Sequence, residues 1–127
     1  MSSSQTKTTP DWVDVHTIDE MEAFFLSVLP AVREAAKSCG YAIGFHGSAR
    51  RDLDLIAVPW IEIYSTPNAL ATAIHKAACG MQHENGEYTW EKKPNGRIAT
   101  SMPICWTDYS MPKMLSLGHI DLSVVGV

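Results

Sequence analysis

The fold of this chain is decided by a stretch in its first half, Gly44-Phe45-His46-Gly47-Ser48-Ala49-Arg50-Arg51-Asp52-Leu53-Asp54-Leu55-Ile56-Ala57-Val58-Pro59-Trp60. It has the pattern of a strand, a tight turn at Gly47-Ser48 and a second strand. Side chains alternate across a strand, so Asp52 and Asp54 share one face and the leucines that follow each of them share the other. Two carboxylates about 7 Å apart along one strand repel each other, and aspartate is depleted in strands. Folding alone gives no reason for this pair, whereas a hard divalent cation would.

Length and composition are those of a globular protein. The 127 residues are 46% hydrophobic and 19% charged, which excludes a disordered chain. Residues 1–10 are rich in serine and threonine, which predicts a flexible N-terminal tail, and residues 11–127 are expected to form one domain. A net charge of -4 predicts no general attraction to nucleic acid or to an anionic membrane. Without a signal peptide or a membrane span, we expect a cytoplasmic protein with reduced cysteines at Cys39, Cys79 and Cys105.

Two helices are predicted. Apolar residues at helical spacing indicate a helix over residues 18–38, with Pro30 marking either a kink or the first turn of a second short helix. Gly40 is expected to end it. A second helix with Thr66 as its N-cap is predicted to run to about Cys79.

The remaining predicted elements are strands. Residues 88–92 and 97–106 are expected to form a hairpin around a turn at Pro94-Asn95-Gly96. Residues 107–118 are predicted to be a loop, and residues 119–125 a last strand. The order of elements predicts an α/β (α+β) domain with a mixed sheet and two or three helices packed on one side.

A third acid, Asp121, lies in this last strand. Its neighbours Ile120 and Leu122 are apolar, which predicts a central strand with Asp121 on the face opposite to them. If that strand lies beside the strand of Asp52 and Asp54, three carboxylates converge. Such an oxygen-only cluster suits Mg²⁺ or Mn²⁺.

These residues resemble a known family, the DNA polymerase beta-like nucleotidyltransferases, and within it the minimal members of the phage and prophage type. The resemblance rests on the Gly47-Ser48 turn, the Asp52-Leu53-Asp54 triplet and the Ile120-Asp121-Leu122 triplet. It covers residues 20–125, and the predicted order of elements agrees with it.

The resemblance implies a function for each of these positions. Asp52 and Asp54 would bind two divalent ions, Mg²⁺ or Mn²⁺, and Asp121 would bind the ion next to the attacking hydroxyl. Gly47 and Ser48 would hold the terminal phosphates of a nucleoside triphosphate. In such transfers the ions activate the hydroxyl and neutralise the leaving pyrophosphate.

The segment between the turn and the first acid contains Arg50 and Arg51. It is shorter than is typical of the family, so the two guanidinium groups are candidates to bind phosphate oxygens in its place. The alternative is an ordinary solvated turn.

The other candidates also have ordinary structural explanations. Asp52 and Asp54 are compatible with a solvated strand edge, and Asp121 with a hydrogen-bonded buried carboxylate, but we favour the metal site. His46 is assigned a structural role. Solvation or packing, rather than contact with a nucleotide, is the favoured explanation for six more residues: Lys92, Lys93, Arg97, Trp60, Trp90 and Trp106.

The leading functional hypothesis is a metal-dependent nucleotidyltransferase that moves NMP from an NTP to an unknown hydroxyl acceptor, on a protein or a nucleic acid. The alternative is a catalytically inactive protein of the same fold that binds a nucleotide or a host protein, as a phage inhibitor or an antitoxin does. A third hypothesis is an antitoxin-like enzyme that adenylylates a toxin. A homodimer or a host-protein partner is left open, and a phage-encoded chain would act in the host cytoplasm.

Overall fold

A computed structural model describes residues 18–47, 49, 52–79, 88–108 and 113–126 of the chain. They form a five-stranded mixed sheet with two helices packed on it, which confirms the predicted fold class. The predicted tail at residues 1–10 lies outside the described residues, and so do Ser48, Arg50 and Arg51. In the order of the chain, the elements are α1 (Ile18–Ser38), β1 (Tyr41–His46), β2 (Asp52–Pro59), α2 (Pro67–Cys79), β3 (Glu91–Lys93), β4 (Arg97–Asp108) and β5 (Lys113–Val125).

The strands lie in the order β1-β2-β5-β4-β3. β2 and β5 are parallel, and the other neighbouring pairs are antiparallel. β5 is therefore central, as the apolar neighbours of Asp121 predict, and it lies beside β2. In the part of the chain that is described, neither helix has the length and apolar character of a membrane span.

The hydrophobic core lies between the sheet and the helices. Alternate residues of the two central strands are fully buried there, because each strand presents every second side chain to the helices. The core side chains of β2 and β5 pack with apolar residues of both helices and of β4: Leu53, Leu55, Ile120, Leu122, Phe25, Val32, Leu70, Ile74 and Met102.

The helix ends follow the predicted signals. Gly40 has φ +90°, and a Cβ there would lie 2.8 Å from the Cβ of Tyr64, so glycine is required after α1. The Thr66 hydroxyl accepts a hydrogen bond from the N–H of Ala69 at 3.2 Å, which confirms the N-cap of α2. Pro30 lies inside α1 and is exposed, so this helix is a single element and no second helix begins there.

Two expectations about strands are wrong. The predicted loop at residues 107–118 is wrong at both of its ends, since β4 continues to Asp108 and β5 already begins at Lys113, while residues 109–112 lie outside the described residues. Gly118 lies where the register between these strands shifts, so it accompanies a bulge rather than the end of a strand. The first strand of the small hairpin is only Glu91–Lys93, shorter than the predicted residues 88–92. Just before it, the indole N–H of Trp90 donates to Oδ1 of Asn68 in α2 at 2.6 Å.

Candidate functional site

The sheet has one face under the helices and one face that no described element covers, which we call the open face. Because side chains alternate, the residues of β2 and β5 that do not enter the core point to the open face. Asp52 and Asp54 of β2 and Asp121 of β5 are therefore on the same face, each partly buried. The fold gives all three predicted acids a common side of the sheet.

Strand pairing brings two of these acids together directly. Asp54 pairs in register with Asp121 across the parallel β2–β5 ladder. The same row continues outward to His46 on β1 and to Ser101 on β4. A line of four polar side chains thus crosses four strands of the open face, with two carboxyl groups at its centre.

The pKa of the Asp54 carboxyl is raised by burial and in part because Asp121 lies beside it. Burial is the first cause that raises the pKa of this carboxyl above its ordinary value of 3.8, followed by the charge of Asp121 and a side-chain hydrogen bond to it. The charge of His46 acts in the opposite direction, and that of Asp52 in the same direction as Asp121. A carboxyl group held beside a second one keeps its proton more readily, since like charges a few ångströms apart repel.

Asp52 lies two residues from Asp54 and has a different partner. Its Oδ1 atom is 3.7 Å from Nδ1 of His119, the residue in register with it on β5. Both side chains are about half exposed. Asp52 and His119 therefore form a neighbouring cross-strand pair, two positions before the Asp54–Asp121 pair on the same ladder.

The turn after β1 approaches the same pair. Gly47 has φ +83°, and a Cβ at this position would lie 3.2 Å from Oδ2 of Asp54. Glycine thus allows both the left-handed backbone and the close passage of the chain over the carboxyl group. The predicted phosphate-binding residues Ser48, Arg50 and Arg51 follow it and remain predictions.

The donor set at this place fits a hard divalent ion. Mg²⁺ is commonly held by one or two carboxylates and completes its coordination with water and with substrate phosphates. Asp54 and Asp121 supply two adjacent carboxyl groups. Burial first and the charge of Asp121 second raise the pKa of Asp54, and a bound cation would offset that second cause. Among the described residues, no three His, Cys, Asp or Glu side chains are arranged to hold a metal ion by themselves. Such an ion would thus depend on ligands beyond these two side chains.

A groove of about 650 Å³ opens beside Asp121 and extends over β4 to β3. Tyr88 forms part of its wall, and its hydroxyl is 3.2 Å from Nδ1 of the buried His75, whose Nε2 is 2.8 Å from the Pro103 carbonyl oxygen. Hydroxyl-bearing side chains are frequent along it. The groove is lined by Tyr88, Thr89, Glu91, Lys93, Ala99, Thr100, Ser101, Pro103, Asp121 and Ser123.

The basic residues near the groove have partners within the chain. Nζ of Lys93 is 3.0 Å from Oε1 of Glu91, and a terminal nitrogen of Arg97 donates to the Ser123 hydroxyl at 3.1 Å. Trp90 donates to Asn68, so its ring is fixed against α2. These contacts agree with the structural explanation given for Lys93, Arg97 and Trp90.

Comparisons of the chain with models of protein families, with curated proteins and with solved structures find no match. The resemblance to nucleotidyltransferases therefore rests on the residues of the chain alone.

Sequence reasoning missed two residues of the row and its surroundings. His119 is two positions before Asp121 on the same strand, so the period of two would have placed it on the same face as the acids. Ser101 had no such signal, because only the β4–β5 register sets it beside Asp121. His46, which was assigned a structural role, lies in the row next to Asp54.

Proposed function

We propose that this protein is a metal-dependent nucleotidyltransferase that transfers NMP from an NTP to a hydroxyl acceptor. The observation that carries the proposal is the register of β2 with β5, which sets Asp54 directly beside Asp121 with Asp52 on the same face. A pair of like charges at the centre of a sheet weakens the fold, and a role in binding a cation is the simplest physical reason for its presence.

Each carboxyl group has its own task in this proposal. Asp52 and Asp54 would hold Mg²⁺ or Mn²⁺, and Asp121 would be a ligand of the ion next to the attacking hydroxyl. The ions, when bound, would neutralise the phosphates and make the acceptor hydroxyl more acidic. The backbone at Gly47 passes close enough to the acids to contact a phosphate held there.

The groove is the proposed binding site of the acceptor. Asp121 is part of its lining, so a hydroxyl group that approaches along the groove meets this carboxylate and donates a hydrogen bond to it. The oxygen of that hydroxyl would then bond to the α-phosphorus as the in-line bond to pyrophosphate breaks, and the hydroxyl proton would pass to the Asp121 carboxylate.

The test is calorimetric titration of Mg²⁺ or Mn²⁺ together with each of the four NTPs. Asp54→Asn and Asp121→Asn should each weaken metal-dependent NTP binding by at least about tenfold, because each removes a ligand charge. Glu62→Gln is the matched control, since it removes one negative charge from an exposed loop. Unchanged binding in both aspartate variants would refute the proposal.

Two observations favour a second candidate, a catalytically inactive protein of this fold that binds a nucleotide or a host protein. The described residues contain no three-residue metal group, and Asp52 contacts His119 at 3.7 Å. This candidate predicts that alanine at Asp52, Asp54 and Asp121 together leaves partner binding unchanged. Pull-down of host proteins with the wild type and the triple variant distinguishes the two candidate functions. Loss of the captured partner in the triple variant would count against the inactive, partner-binding protein.

A further inference from the structure

The two edges of the sheet differ in their protection against pairing. At one edge, β3 has only three residues, Glu91-Lys92-Lys93, and charged side chains on a short strand discourage pairing with another chain. At the other edge, β1 has the sequence Tyr-Ala-Ile-Gly-Phe-His, which is twice as long and contains no lysine, arginine, aspartate, glutamate or proline. No strand of the described residues pairs with its outer side. Within the described ranges, this edge therefore has neither the charges nor the covering strand that usually prevent pairing.

The phase of the backbone hydrogen bonds shows which groups of β1 point outward. The N–H of Trp60 donates to the carbonyl oxygen of Gly40 at 3.1 Å, so Gly40 occupies a hydrogen-bonded position of the antiparallel ladder. Hydrogen-bonded and non-bonded positions alternate in such a ladder. Tyr41, Ile43 and Phe45 therefore direct their N–H and C=O groups away from β2, which suits the addition of a further strand.

We infer that β1 pairs with β1 of a second copy of this chain, antiparallel and around a two-fold axis at Ile43. In this register Ile43 faces Ile43 of the second copy, Tyr41 faces Phe45, and Ala42 faces Gly44. All outward N–H and C=O groups from Tyr41 to Phe45 then have partners.

The uncharged sequence of β1 suits a second copy as the occupant, because self-pairing brings no like charges together. In the paired strands no charge meets a like charge, whereas pairing of β3 with its own copy would bring lysines close together. On the open face the pairing also joins Val58, which is 44% exposed, to Ala42 and to Gly44 and Ile56 of the second copy. These four positions form an uninterrupted apolar row.

The loop after β2 adds apolar surface at the same edge. It is tied to the start of β1 by the Trp60–Gly40 hydrogen bond and by the contact of Tyr64 with Gly40. Trp60 is 57% exposed and Ile63 is 87% exposed. In an antiparallel pair the start of one β1 lies beside the end of the other, so this exposed apolar loop would lie near the end of β1 of the second copy.

The dimer would be a ten-stranded sheet. A two-fold axis perpendicular to the sheet keeps both open faces on one side, with the two acid rows roughly 25 Å apart according to strand spacing and rise per residue. Each row lies inside its own protomer. Dimerisation therefore does not depend on the proposed transferase activity.

Two double variants test the pairing with the same number of substitutions. Ala42 and Gly44 are exposed on the open face, and a Cβ at Gly44 meets nothing closer than 3.9 Å, so both positions accept side chains. Ala42→Lys with Gly44→Lys puts lysines opposite each other at both cross-strand contacts. Ala42→Lys with Gly44→Glu puts opposite charges there. Circular dichroism melting of each variant first shows that it is folded.

Sedimentation velocity over a dilution series measures the association. We expect the wild type to be a dimer. The lysine–lysine variant should dimerise at least about tenfold more weakly than the lysine–glutamate variant, in which the dimer should be recovered. A wild type that stays monomeric at its highest soluble concentration overturns the inference. So does a dimer that both variants leave equally strong, because its interface would lie elsewhere.

Amide hydrogen exchange gives a second, residue-level measurement on the wild type. The N–H groups of Ile43 and Phe45 should be protected in concentrated solution and exchange faster on dilution, whereas those of Ala42 and Gly44, which bond to β2, should be protected at both concentrations. Equal exchange of Ile43 and Phe45 at the two concentrations would also overturn the inference.

Discussion

Replacement of Asp54 with asparagine should stabilise the metal-free protein at neutral pH. The change removes one of two carboxylates that face each other across β2 and β5 and keeps the size of the side chain. An amide also donates a hydrogen bond to Asp121 without needing a proton from solution. Stabilisation would be unusual, because most substitutions in the middle of a sheet lower the free energy of unfolding.

The magnitude follows from the spacing of the strands. Neighbouring strands lie about 4.8 Å apart, and two unit charges at that distance repel each other by roughly 0.9 kcal/mol in bulk water and by several times more at an effective dielectric constant of about 20. Both side chains are partly exposed, so solvent screening keeps the repulsion near the lower figure. We expect Asp54→Asn to add about 1 kcal/mol to the free energy of unfolding, which is roughly 4 °C in Tm for a domain of this length.

The effect should depend on pH in a defined direction. Burial and then Asp121 raise the pKa of Asp54 in the folded protein above 3.8, so folding favours its protonated form. The associated stabilisation is complete below pH 3.8 and is lost as the pH rises through the folded-state pKa. The difference between Asp54→Asn and the wild type should therefore be small near pH 3 and fully developed at pH 7.

Urea denaturation of both proteins in the presence of a chelator, at a series of pH values, provides the measurement. Asp52→Asn is the control, because Asp52 has His119 as its partner and its loss should not stabilise the fold. A variant less stable than the wild type at pH 7, or a difference that does not change with pH, would refute the reasoning.

Three further predictions concern stability and can be measured by thermal denaturation. Gly40→Ala should destabilise the protein by about 2 kcal/mol or more, because φ is +90° and the new Cβ would lie 2.8 Å from that of Tyr64; a loss below that of an exposed alanine substitution would contradict this. Thr66→Ala should cost about 1 kcal/mol, since it removes the N-cap of α2, and Thr66→Ser should retain most of it. Gly47→Ala should cost about 1 kcal/mol through its φ of +83° and its approach to Asp54, and no loss would show that the turn relaxes freely.

The sequence predicts the helices well because their ends depend on local chemistry. The cap at Thr66 and the left-handed glycine at Gly40 act through bonds within a few residues, and both can be recognised without knowledge of the fold. The β4–β5 hairpin was missed for the opposite reason. Pairing of residues 113–118 with β4 is decided by the partner strand, and Gly118, which suggests a loop when taken alone, accompanies a bulge in the ladder.

The candidate site likewise has one part that the sequence predicts and one part that it does not. The common face of Asp52 and Asp54 follows from the period of a single strand, so the sequence contains it. The meeting of Asp54 with Asp121 follows from a parallel register between residues 67 positions apart in the chain, which no local pattern determines. Its prediction required the assumption that β5 lies beside β2, and the sheet order confirms that assumption. The position of Ser101 beside Asp121 depends on the pairing of a third strand, β4, so the sequence did not predict it.

A sheet covered by helices on one side has two kinds of free position, and this chain uses them differently. The open face is free for polar side chains because alternate residues take no part in the core, and the acids occupy it over the two central strands. The edge is free for backbone pairing, and only β1 among the two edge strands lacks charges. The pairing of β1 is made by backbone groups, whereas the acid row is made by side chains of strands inside the sheet. Variants at Ala42 and Gly44 should consequently change the association of the protein without changing metal-dependent NTP binding, and Asp54→Asn should do the reverse.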